Sequence, residues 1–70
     1  MNKKLKSYIY EKFDSQSECA KALGWARQKL NRIVLEQSMP SLEDTQSLAR
    51  VLEKPIEEVA SLFLKRKSRK

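Results

Sequence analysis

Residues 15–35 read SQSECAKALGWARQKLNRIVL, and this stretch decides the fold. Ser15 is a helix-capping residue type and Glu18 stands three positions on, the spacing of a capping box in which each side chain serves an amide of the other. The short helix that follows turns Cys19, Ala20 and Leu23 inward and stops at Gly24, the one glycine of the chain. Glycine enters the left-handed conformation of a tight turn without a Cβ penalty. A second helix follows over about residues 26–35. At roughly 100° per residue its Ala26, Leu30, Ile33 and Val34 gather within about 100° of arc. Arg27, Gln28, Lys29, Asn31 and Arg32 spread over the other side. Two helices joined by a short turn at a steep angle need a small side chain where they cross, positive φ in the turn and apolar residues facing back. Ala20, Gly24, and Leu30 with Ile33 meet these needs. The apolar side pins the second helix, so its polar side must project outward.

The same periodicity runs through the rest of the chain. Leu5, Tyr8, Ile9 and Phe13 make one stripe on a first helix ending near Asp14. Residues 36–40 read as a loop. Ser41 caps a fourth helix, with Asp44 at the third position and Leu42, Thr45, Leu48, Ala49 and Leu52 on one face. Pro55 suits the first turn of a fifth helix, whose inner stripe is Ile56, Val59, Ala60 and Phe63. No alternating β-branched run is long enough for a strand. The expected fold class is all-α: a compact bundle of about five short helices in one domain over residues 1–64. Residues 65–70, KRKSRK, carry no apolar residue to pack and are expected to form a disordered basic tail.

Several functions are disfavoured at once. A chain of 70 residues makes one small domain. A single cysteine cannot close an internal disulfide, and without histidine there is no Cys/His zinc site. No apolar run approaches the roughly 18 residues of a membrane span. The basic start, MNKKLK, leads into polar, interrupted sequence rather than a signal peptide. A cytoplasmic setting is expected, with no membrane partner. Glu43 with Asp44 and Glu57 with Glu58 are first-turn acids that suit the helix dipole. With no glycine-rich phosphate loop and no acid cluster placed for a metal, no catalytic residue, metal, cofactor or small-molecule ligand is expected, and the chain reads as a non-enzyme.

Charge points elsewhere. Fifteen Lys and Arg against nine Asp and Glu leave +6. Residues 19–35 hold Lys21, Arg27, Lys29 and Arg32 with no acid, whereas residues 36–58 hold six acids against Arg50 and Lys54. A basic block set against an acidic one implies a polarised molecule with a face for a polyanion. Arginine matches guanine O6/N7 and asparagine or glutamine matches adenine N6/N7 by bidentate geometry. Arg27, Gln28, Asn31 and Arg32 are therefore candidate base contacts. Lys29, at the edge of the arc, is a candidate phosphate contact. Leu35 either touches a thymine methyl or lies past the helix end. Cys19 reads as a small core residue.

Residues 15–64, SQSECAKALGWARQKLNRIVLEQSMPSLEDTQSLARVLEKPIEEVASLFL, resemble the helix-turn-helix DNA-binding domain of the phage repressor and Cro class, the lambda repressor-like family. The resemblance runs through Gln16, Ala20, Leu23-Gly24, Leu30, Arg32-Ile33 and Pro40-Ser41-Leu42, covering about 50 of 70 residues. It implies that the helix near 26–35 lies in the major groove. It also implies that Gln16 braces both a phosphate and that helix, and that Ser15 and Ser38 meet the DNA backbone. Three departures stand out: Ala26 where the family often has a Ser or Thr cap, Leu35-Glu36 where Asn-Gly is common, and Trp25 where a smaller apolar residue is usual.

The reading that follows is a sequence-specific transcriptional regulator, Cro-like in being a single domain, binding double-stranded DNA at a palindromic operator as a homodimer in a bacterial cell or phage-infected host. Leu62, Phe63 and Leu64 are consecutive and cannot share one helix face. With Phe63 in the core stripe, Leu62 or Leu64 is left for the dimer interface. Two other readings remain: an antitoxin-type regulator with a toxin partner, and a helical module whose basic face binds an acidic protein or a membrane surface.

Overall fold

A computed structural model describes residues 1–64, so the expectations for the basic tail lie outside the described residues. Asn2 opens the first helix, α1 (Lys3–Lys12): its Oδ1 accepts the Leu5 N–H at 3.1 Å. The helix ends two residues before Asp14, because Phe13 is extended at φ −132° and packs on the core from the connection. Helix α2 (Gln16–Leu23) starts at Ser15, whose hydroxyl accepts the Glu18 N–H at 3.2 Å. That is one of the two bonds expected of a capping box. The helix ends at Gly24, with φ 74°, and the Trp25 N–H donates back to the Ala20 carbonyl at 2.9 Å.

Helix α3 (Arg27–Val34) begins one residue later than the periodicity suggested. Ala26 precedes it in an extended conformation, offers no side-chain cap and is exposed. It is therefore not part of the apolar arc, since the helical wheel does not apply to a residue outside the helix. Leu35 closes the helix, Glu36 takes φ 64°, and the Gln37 N–H donates to the Arg32 carbonyl at 2.8 Å. This is the same back-bonded ending as after α2, with glutamate in the left-handed position that glycine usually holds.

Helix α4 (Leu42–Leu52) has a complete capping box. The Ser41 hydroxyl accepts the Asp44 N–H at 3.0 Å, and Asp44 Oδ2 accepts the Ser41 N–H at 3.2 Å. Leu42 is 73% exposed rather than on the inner face. It is the first residue of the helix, and its Cβ tilts beyond the helix start, away from the bundle. Helix α5 (Ile56–Ser61) follows Pro55 and brings Val59 and, just beyond it, Phe63 into the core.

Leu5, Ile9, Leu30, Leu48, Leu52 and Val59 are wholly buried; each such aliphatic side chain stabilises the fold by about 1.5–3 kcal/mol. Helix α2 packs on α1, α3 and α4, and α4 packs on α5. The described residues hold five helices and no strand. None of these helices is long and apolar enough to cross a membrane.

Candidate nucleic-acid interface

Helix α3 is held from behind by three apolar residues. Leu30 is wholly buried and Ile33 and Val34 are each 2% exposed. Counting about 100° per residue from Arg27, these three lie between about 240° and 340°. Asn31 then falls at about 40°, Gln28 at about 100° and Arg32 at about 140°. All four candidate base contacts, Arg27, Gln28, Asn31 and Arg32, are exposed on this one side. Between Cys19 and Leu35 there is no acid to neutralise them. A polyanion approaching the bundle at α3 therefore meets two guanidiniums and two amides on a rigid support.

The start of α2 meets this face. Gln16 Nε2 donates to Asn31 Oδ1 at 3.1 Å, and Gln16, Arg27, Gln28 and Asn31 together line an open hollow of about 330 Å³. The tie crosses fifteen residues of sequence and fixes α3 against the N-terminal end of α2. Ser15, one residue earlier, is half-buried and uses its hydroxyl to cap α2. Ser38 is exposed in the connection between α3 and α4.

Lys29 stands apart from the other cations. Its ammonium pairs with Asp44 Oδ1 at 3.1 Å and lies 4.5 Å from the centre of the Trp25 ring. Burial pushes the Asp44 carboxyl up, but the Lys29 ammonium and the bonds from Ser41 outweigh it and hold the group below the ordinary aspartate value. The expected phosphate contact is thus paired at the surface, its side chain 45% exposed, where it joins α3 to the capping box of α4. At about 200° on the wheel, Lys29 sits beside the buried arc rather than opposite it. Leu35 lies just past the helix end and is 40% exposed.

After α5, Leu64 is 71% exposed, whereas Leu62 packs against the chain's own core. Of the two leucines expected at an interface, only Leu64 presents most of its surface. Leu62 and Phe63 line a second hollow, of about 210 Å³, together with Asn2, Ile33, Glu36, Ser38 and Met39.

Three positioning elements escaped the sequence reading. Asn2, 7% exposed, caps α1, donates its backbone N–H to the Val34 carbonyl at 2.7 Å and donates Nδ2 to the Leu62 carbonyl at 2.9 Å. It thereby anchors the C-terminal end of α3. The signal available was local: asparagine three residues before the first buried leucine is a capping type. The second element is the Trp25–Lys29–Asp44 brace, whose cation and acid are far apart in sequence. The third is Glu36 at positive φ, for which residue type gave no warning. Cys19 is wholly buried, and desolvation pushes its thiol up to about 11. Among the described residues no group of His, Cys, Asp and Glu is placed to hold a metal ion.

A family model described as helix-turn-helix matches residues 14–59. No curated protein and no solved structure matches the chain. The matched span runs from the residue before the Ser15 cap into α5 and contains the whole α2–turn–α3 unit. The chain belongs to the helix-turn-helix family, and its five helices are the lambda repressor-like form of that DNA-binding fold.

Proposed function

We propose that this protein is a sequence-specific transcriptional regulator of the Cro or repressor kind, laying α3 in the major groove of a palindromic operator and acting as a dimer in the cytoplasm. The observation that carries this reading is the exposed face of Arg27, Gln28, Asn31 and Arg32 on a helix pinned by Leu30, Ile33 and Val34. Arginine and amide side chains are the residue types that distinguish base edges in the major groove. The hollow between α2 and α3 leaves Gln16 at the rim of the same face, where it can meet the phosphate backbone, and Ser38 offers a second such contact.

Dimerisation follows from the size of the site. One recognition helix reads a handful of base pairs, too few to stand out among roughly 10⁶–10⁹ competing genomic sites. Two α3 helices about 34 Å apart would enter successive major grooves on one face of the duplex. Leu64, shortly after α5, is 71% exposed, with Leu62 partly exposed nearby. So small an apolar contact predicts dimers that form mainly on DNA. Selection of bound sequences from a random duplex pool at physiological salt tests the reading. A palindromic consensus with half-sites one helical turn apart is the expected result, and failure to enrich any consensus would overturn it. Sedimentation on that operator is expected to give two chains per duplex, and one chain at saturation would refute the dimer.

A further inference from the structure

Lys29 sits on α3, yet its charge is already answered by the protein. The ammonium lies 3.1 Å from Asp44 Oδ1 and 4.5 Å from the centre of the Trp25 ring. Exposed ion pairs are weak when both side chains swing freely. Here the acid does not swing. Asp44 Oδ2 accepts the Ser41 N–H at 3.2 Å, the Asp44 N–H donates to the Ser41 hydroxyl at 3.0 Å, and the Asp44 side chain is only 20% exposed. Burial raises its carboxyl, but Lys29 and Ser41 outweigh that and hold it below the ordinary aspartate value, so it is ionised at neutral pH. On the helical wheel Lys29 lies about 60° from Arg32, at the flank of the exposed polar face.

A lysine beside a duplex releases counterions only to the extent that its charge is free to neutralise a phosphate. With a fixed carboxylate at its side, Lys29 brings no net charge. Drawn onto a phosphate, it would leave Asp44 bare against the polyanion. We propose that Asp44 is a positioning residue that withholds Lys29 from the DNA backbone and so restrains binding to DNA of any sequence. The proposal rests on the DNA-binding role proposed for α3 and adds a restraint to it. Phosphate contacts carry no sequence information, so the restraint weakens operator and random duplex alike. It thereby shortens the stay on the great excess of random genomic sites.

The test titrates the full chain with a random-sequence duplex and with the selected operator over a series of salt concentrations. Asp44→Asn keeps an amide oxygen for the Ser41 N–H but drops the charge and frees Lys29. Its slope of log affinity against log salt is expected to steepen by about 0.9. That amounts to about fivefold tighter binding of either duplex at about 0.15 M salt, with base preference unchanged. Adding Lys29→Gln to Asp44→Asn is expected to restore the wild-type slope, because the pair as a whole contributed none. Asp44→Glu keeps the charge on a favoured capping-box residue and is expected to keep the wild-type slope. Asp44→Gln, uncharged and also a capping-box type, repeats the comparison if Asp44→Asn fails to fold. A merely structural role for Asp44 would move the melting midpoint and leave the slope alone.

An unchanged slope in the uncharged Asp44 variant overturns the proposal. So does a double variant that stays steep, which would assign the effect to the Asp44 charge alone. A double variant shallower than wild type also overturns it, by making Lys29 a phosphate contact in spite of its partner. In all three cases an intact operator preference leaves the DNA-reading role of α3 standing. If the wild-type chain binds no duplex, that role fails and the proposal falls with it.

Discussion

Replacing Asn2 by alanine tests how the start of α1 is capped and tied to the segment just after α5. The side chain makes two bonds, accepting from the Leu5 N–H at 3.1 Å and donating to the Leu62 carbonyl at 2.9 Å, in a site only 7% exposed. Loss of an asparagine N-cap costs about 1 kcal/mol. Loss of the partner to a part-buried carbonyl costs about another 1 kcal/mol, and more if the carbonyl stays dry. Asn2 helps line a hollow of about 210 Å³ that lets water reach the vacated position, which holds the second cost near the lower figure. The total is about 2–3 kcal/mol, against a stability of about 3–10 kcal/mol for a domain of this size. At about 4–8 °C per kcal/mol, the midpoint of thermal unfolding falls by about 8–24 °C. Circular dichroism melts of wild type and Asn2→Ala measure this directly. Asn2→Ser keeps a capping hydroxyl but cannot span to Leu62, so about half the loss is expected. A midpoint within about 3 °C of wild type in Asn2→Ala would refute the reasoning and show that these bonds add nothing beyond those the unfolded chain makes with water.

Other outcomes follow from single features. Gly24→Ala places a Cβ in open space, with nothing within 4 Å, but at φ 74°; a loss of about 1–2 kcal/mol from backbone strain alone is expected in chemical denaturation, with Gly24→Asn losing less. Asp44 and Glu53 titrate below their ordinary values through Lys29 and Ser41 and through Lys12 respectively. Groups with depressed folded values add stability above their unfolded values, near 3.8 and 4.5, and lose it as pH falls through the folded ones. Unfolding midpoints should therefore drop below about pH 4.5, and the drop should be shallower in Asp44→Asn. Cys19, wholly buried with its thiol pushed up to about 11, should resist alkylation at neutral pH in the folded protein and react promptly in denaturant. Equal rates would contradict its burial.

The helices were legible where periodicity and caps agree. Ser15, Gly24 and Ser41 marked boundaries by side-chain chemistry, and Leu30, Ile33 and Val34 marked the inner face of α3 by spacing. Ala26 and Leu42 misled the reading for a common reason. A helical wheel assigns a face to every residue in the segment, but end residues lie outside the helix or beyond the body of the bundle. The exposed polar set of α3 was legible because an amphipathic helix pinned on one side leaves its other side exposed. What could not be read were the side-chain partners. Lys29 looked like a free edge cation until the fold brought Asp44 beside it, and nothing local announced the bond from Gln16 to Asn31, fifteen residues on. Asn2 depends on the end of α5, sixty residues away in sequence. Such contacts depend on tertiary placement, which local spacing does not encode.

The central claim is that the outward face of α3 reads bases in the major groove. Methylation interference on the selected operator tests it most directly, because guanine N7 lies in that groove and is a natural partner of arginine. Methylated guanines are expected to block binding in two clusters about 10 base pairs apart. Arg32→Ala is expected to lose sensitivity at one guanine in each cluster, with a loss of about 1–3 kcal/mol in affinity for the unmodified operator. Binding that ignores N7 methylation throughout, with Arg32→Ala weakening selected and random DNA alike, would contradict the claim and leave α3 with phosphate contacts alone.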